Sequence, residues 1–111
     1  MQFDHESLDA YRMAVEVARW CARQPFPELR RHLREPLIHA ADAVVLRIAE
    51  GSVAKGETSR DLVEAAWSAA AEACAVLDLA DLPGAADRQD QLRRIGALLR
   101  GVDDQRKTAS R

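Results

Sequence analysis

Aromatic residues are scarce in this chain: two Trp, two Phe and one Tyr among 111 residues. A core must therefore come mainly from Ala, Leu, Val and Ile, a set that packs helices closely and suits sheets poorly. Gly (five) and Pro (four) are few and confined to a few places, which leaves few turns and long elements. That combination excludes a loop-rich or all-β domain and is the profile of a helical bundle. Lysine is nearly missing as well, with two Lys beside 14 Arg. An Arg-heavy surface suits phosphates or carboxylates, but the formal net charge is −2 and the pI is near 5.9, without the positive excess of a strong nucleic-acid binder. Cysteine is limited to Cys21 and Cys74, which have neither metal-ligand spacing nor a third partner. They read as buried, reduced thiols of a cytoplasmic protein. No uncharged apolar run reaches the length of about 18 residues needed for a membrane span, and Met1 to Glu6 lacks the basic start of a signal peptide.

What remains is helical periodicity. A first helix is expected from about residue 7 to 24. Leu8, Tyr11, Ala14, Val15, Ala18, Cys21 and Ala22 form its inner face, and Asp9, Arg12, Glu16, Arg19 and Arg23 its outer stripe. Pro25 and Pro27 stop it, since neither can donate a backbone hydrogen bond. Pro36 is tolerated only in a first turn, so residues 28–32 read as a short helical turn and the second helix as 34–50. Gly51 is expected as its left-handed cap. Thr58 followed by Asp61 resembles a capping box and starts a third helix at residue 59, running to about 80, where Leu82-Pro83-Gly84 ends it. The fourth spans about 85–106 with Leu92, Ile95, Leu98, Leu99 and Val102 inward, and the tail 107–111 is expected to fray. All of this fits one domain, residues 1–111.

The two middle helices carry more apolar circumference than a lone bundle needs. In helix three only Arg60, Glu64, Ser68 and Glu72 make a clear polar line, and helix two is apolar over most of Leu37 to Ala49. A bundle helix needs an apolar arc of somewhat over ~100°. The surplus predicts a second neighbour, most simply another copy of the chain, with Val45, Leu46, Trp67, Ala71 and Cys74 as the expected interface.

Three stretches resemble a known family. They are Leu8-Asp9-Ala10-Tyr11-Arg12-Met13-Ala14, Phe26-Pro27-Glu28, and Leu33 through Gly51 ending in Ile48-Ala49-Glu50-Gly51. Together they are similar to the four-helix bundle proteins of 23S ribosomal RNA intervening sequences, and to the accessory variability determinants of diversity-generating retroelements. The resemblance implies an antiparallel up-down four-helix bundle, a homopentamer and no enzymatic activity. In the retroelement branch it implies contact with nucleic acid. The chain departs from that pattern in helix two. Ile38 and His39 stand where the family carries two adjacent arginines, and Val45-Leu46-Arg47 stands in place of Pro-Ser-Asn. Two cations are thereby lost from that face, which counts against a nucleic-acid role.

The remaining constellations point to surfaces and not to a reaction centre. Glu28, His32, Glu35, His39 and Asp42 would share a line on a continuous helix, but no Glu-x-x-His pair occurs and Pro36 interrupts the geometry, so no metal site is expected. Glu50 places a negative charge at a helix C-terminus, where it needs a partner, an Arg or a backbone donor on helix one or a neighbouring subunit. Arg30, Arg31 and Arg34, together with Arg47, Arg93, Arg94 and Arg100, are the candidate phosphate contacts, diluted by Glu28, Glu35, Asp87 and Asp90. No nucleophile motif, phosphate loop or cofactor motif is present. The expected protein is a non-enzymatic, cofactor-free cytoplasmic oligomer that binds itself and a protein partner, with nucleic acid as the alternative ligand.

Overall fold

A computed structural model describes residues 5–109, with side chains described for residues 5–101. Four helices form an antiparallel up-down bundle: α1 (His5–Arg23), α2 (Arg34–Val53), α3 (Gly56–Ala80) and α4 (Ala85–Ala109). Each helix packs on its chain neighbours and α4 closes the ring against α1, so α1 lies diagonally from α3 and α2 from α4. Among the described residues there is no strand. The side chain of Val102 and the last two tail residues lie outside the described residues. The α4 backbone stays helical to Ala109, beyond the expected end at residue 106.

The core is aliphatic, as the composition requires: Leu37, Leu77, Leu92, Ile95, Leu99, Val17 and Val44 are its largest fully enclosed side chains besides Cys21. The inner face of α1 is turned from the expected one. Ala10, Ala14, Val17, Ala18, Trp20 and Cys21 are buried, Leu8, Tyr11 and Val15 sit at the margin, and Ala22 is exposed. Alanine at so many positions weakens the contrast that would have fixed the rotation.

At the C-terminus of α1 two side chains satisfy free carbonyls. Gln24 Nε2 donates to Trp20 O at 3.1 Å, and Arg34 Nη2 to Ala22 O at 3.4 Å. The expected turn after Pro27 is a 3-10 helix, Glu28–Leu33, and α2 begins at Arg34 with Pro36 in its first turn. The 3-10 geometry breaks the line from Glu28 to Asp42 at the junction with α2.

The α2–α3 connection corrects the sequence reading. Gly51 is not a left-handed cap; it lies buried inside α2, which continues to Val53. Gly51 faces α3, and an added Cβ there would stand 3.5 Å from Leu62 Cβ, an ordinary packing contact. Ser59 Oγ donates to Gly51 O at 2.8 Å and ties the two helices together. The positive φ instead belongs to Gly56 (+62°), from which α3 starts three residues earlier than Thr58 and Asp61 suggest, and no side-chain cap forms there. At the other end α3 stops at Asp81 (φ 54°), and Gly84 (φ 82°) turns the chain into α4.

Candidate interaction surfaces

Because the helices form a ring in chain order, the α1/α2 groove and the α3/α4 groove face opposite sides of the bundle. The residues expected at one interface divide between them. Val45 and Leu46 line the α1/α2 groove with Val15, Ala18 and Ala22, while Trp67, Ala71 and Cys74 line the α3/α4 groove with Gly96 and Ala97. The cavities measure about 310 and 430 Å³.

Much of the surplus on the middle helices is taken up within the chain. On α2, Leu37, Ala40, Ala41, Val44 and Ile48 are buried and Val45 is half-buried, whereas Leu46 stays 54% exposed. On α3 the residues Val63, Ala66, Ala69, Ala70, Ala73, Val76 and Leu77 are buried, Trp67 and Cys74 half-buried, and Ala71 and Leu79 exposed.

The α3/α4 groove is held by polar contacts that were not evident from the sequence. Gln89 is buried, and its Nε2 donates to Cys74 O at 3.0 Å and Asp78 Oδ1 at 2.6 Å. Trp67 lies between Gly96 and Arg100, whose guanidinium carbon is 4.8 Å from the ring centroid. A second such arrangement places Trp20 against Gly84, with Arg88 at 5.5 Å. Burial pushes the Cys21 thiol up to about 11, with nearby Asp42 adding to the effect and Arg88 opposing it. Cys74 is raised for the same first reason, with Arg93 lowering and Asp78 raising it.

The candidate phosphate contacts do not converge. Arg30 and Arg31 are exposed on the 3-10 turn and Arg34 turns to the end of α1. Arg47 pairs with Glu50 on its own helix, so that carboxylate finds its partner one turn away within α2 and not on helix one or a neighbouring chain as expected. Arg93 pairs with Asp90 at 2.8 Å, while Arg94 borders the α1/α4 cleft beside Asp9 and Glu16. In Ile48-Ala49-Glu50-Gly51 the first and last residues are buried, and Gly51 lies against Leu62 and Val63 of α3.

A cationic group outside the expected set does converge. Arg12, Arg19, Arg23 and Arg88 line one cleft between α1 and α4, with Glu16 among them. The signal was present as the outer stripe of α1, but Arg88 joins it only through the fold. Among the described residues no group of three or more His, Cys, Asp or Glu is placed to hold a metal ion, and no helix is long and apolar enough to cross a membrane. Comparison of the chain with protein-family models, with curated proteins and with solved structures finds no match.

Proposed function

We propose that this chain is a non-catalytic cytoplasmic module that assembles with copies of itself and offers the assembled surface to a protein partner. The observation that carries this reading is Leu46, a large apolar side chain 54% exposed at the edge of a groove floored by Val15, Ala18, Ala22 and Val45. Apolar residues grouped in this way on a surface favour a covering partner. The groove on the opposite side, with Trp67, Ala71 and Cys74, supplies a second surface of similar kind. The resemblance of Leu33–Gly51 to the intervening-sequence proteins supports five subunits. Light scattering on the purified chain tests the reading. A multiple of 12.3 kDa at micromolar concentration is expected, and the mass of one chain refutes it.

A second reading, contact with nucleic acid, is favoured by one observation: the arginines at 12, 19, 23 and 88 share one cleft. Binding to RNA and DNA oligonucleotides across a salt series tests it. Affinity that falls steeply with salt supports the reading, and no binding at low salt removes it.

A further inference from the structure

The outer stripe of α1 and the start of α4 enclose a cleft of about 300 Å³, lined by Arg12, Val15, Glu16, Arg19, Arg23 and Arg88. Four cations against one carboxylate leave it a formal charge of +3, in a chain whose net charge is −2. Among the described residues none of the four arginines forms an ion pair. Arg19 also borders the α1/α2 groove, where Asp42 stands, yet the two do not pair.

One cation is held in place and another carboxylate is kept from it. Arg88 is half-buried, its guanidinium carbon 5.5 Å from the centroid of the Trp20 ring, and its Nη1 donates to Gln91 Oε1 at 2.8 Å. These contacts fix the guanidinium and leave its Nε and Nη2 without an acceptor among the described residues. Gln91 in turn donates from Nε2 to Glu16 Oε2 at 3.3 Å, so the amide stands between Arg88 and Glu16 and no direct ion pair forms. Arg19 and Arg23 are one turn apart on α1, and Arg88 lies over Trp20 at a level between them. Arg12 stands about 10 Å further along the axis, beyond Glu16. The cleft therefore has one dense cationic end.

We propose that the end formed by Arg19, Arg23 and Arg88 binds a terminal phosphate group, of the kind carried by a free phosphate compound or by the 5′ end of a nucleotide chain. The proposal shares its cleft with the nucleic-acid reading and stands without it. Three cations directed at one place match a terminal phosphate, which carries about −1.5 to −2 near neutral pH and three acceptor oxygens. A diester of a strand brings one charge, and a carboxylate one charge and two oxygens. The planar fork of each guanidinium suits two oxygens of the same phosphate.

The course of the cleft points the same way. A strand continuing along α1 leaves the dense end for Glu16 and then, past Arg12, for Asp9 in the adjoining cleft. Its backbone charge would meet a carboxylate at both places, whereas a ligand that stops at the dense end meets cations alone. Val15 is the one apolar residue of the lining, so an apolar guest finds little to cover it. A volume of about 300 Å³ also lies at the small end of ligand pockets.

Calorimetric titration of the full chain with tripolyphosphate tests this, at neutral pH and about 0.15 M ionic strength, where exposed charges more than roughly 8 Å apart are screened. Saturable binding is expected for wild type. R19Q/R23Q changes exposed side chains only and should weaken it at least about tenfold, since two charged donors are lost. R30Q/R31Q removes the same charge from the 3-10 turn, outside the cleft, and should change it less than about twofold. Glu16→Gln takes away the one carboxylate of the lining and should tighten binding about two- to fivefold, a gain that misfolding cannot imitate. Circular dichroism checks that all variants stay helical.

Two oligonucleotides of one sequence, with and without a 5′ phosphate, then compete with tripolyphosphate and identify the source. Displacement by the phosphorylated strand alone assigns the site to a chain end, and displacement by neither assigns it to a free phosphate compound. Both outcomes uphold the proposal, and the second removes nucleic acid from this cleft. Equal displacement by the two strands overturns the proposal and leaves the nucleic-acid reading standing, because the backbone is then the ligand. Absence of tripolyphosphate binding to wild type, or equal weakening in R19Q/R23Q and R30Q/R31Q, overturns it as well.

Discussion

Gly96→Ala tests the packing of Trp67 directly. Gly96 lies inside α4, and a Cβ added there would stand 2.7 Å from Trp67 Nε1 and 3.2 Å from its Cδ1. Atoms do not approach so closely, so the indole has to leave its seat. Two effects oppose each other. Replacing a helical Gly by Ala favours the folded state by about 0.8–1 kcal/mol. Forcing extra volume into a packed site costs about 1–3 kcal/mol, and a ring moved out from under Arg100 also gives up roughly 0.5–1 kcal/mol of cation–π attraction. The net expectation is a loss of about 1–2 kcal/mol.

Urea denaturation followed by circular dichroism, at one fixed protein concentration, measures this as a lower midpoint with an unchanged slope. The same substitution in a Trp67→Ala background has no ring to displace, and there the helix preference alone should act, stabilising by about 1 kcal/mol. Gly96→Ala that stabilises the wild-type chain by that amount would refute the reasoning, because the indole could not then be resting on Gly96.

Other substitutions address other joints of the fold. Gly51→Ala should be neutral or stabilise by up to about 1 kcal/mol, because the residue is helical and the added methyl makes ordinary contact with Leu62; thermal melting that shows a clear loss would restore the left-handed cap. Gln89→Leu should cost about 1–3 kcal/mol in urea unfolding, since it deletes two hydrogen bonds and leaves Asp78 without that donor. For Cys21 the folded thiol ionises near 11 and the ordinary value is 9.0, so its contribution is intact below pH 9 and is lost as pH rises from 9 towards 11. The wild type should lose about 1 kcal/mol more than Cys21→Ala between pH 8 and pH 10, and equal losses would contradict the burial of that thiol.

The helices themselves were legible because periodicity and the prolines act locally. Pro25, Pro27 and Pro36 placed the end of α1, the 3-10 turn and the start of α2 to within a residue. Glycine was the weak point. Gly51 and Gly56 are five residues apart, and a glycine permits either a left-handed turn or close approach of another helix. Which of the two applies depends on what lies opposite, and at Gly51 it is Leu62 and Ser59 of α3. Sequence spacing likewise cannot show that Arg88 joins the α1 arginines, or that Gln89 reaches across to Cys74 and Asp78, because both contacts exist only once α4 has docked.

The same limit governs the reading of the tryptophans. From sequence, Trp67 is a candidate for an interface between chains, since large aromatics anchor such contacts. In the fold it already has an internal task. Trp20 from α1 and Trp67 from α3 each rest on a glycine and lie beneath an arginine four residues later, Gly84 with Arg88 and Gly96 with Arg100. The repeated Gly-x-x-x-Arg pattern lets each ring approach the backbone at or just before α4 while the guanidinium lies over the ring. These two contacts fasten α4, a helix rich in charge, to α1 and α3. Trp67 is thereby partly spoken for within the chain, whereas Leu46 has no such cover. That difference leaves Leu46 on the α1/α2 face, 54% exposed, the less covered of the two side chains.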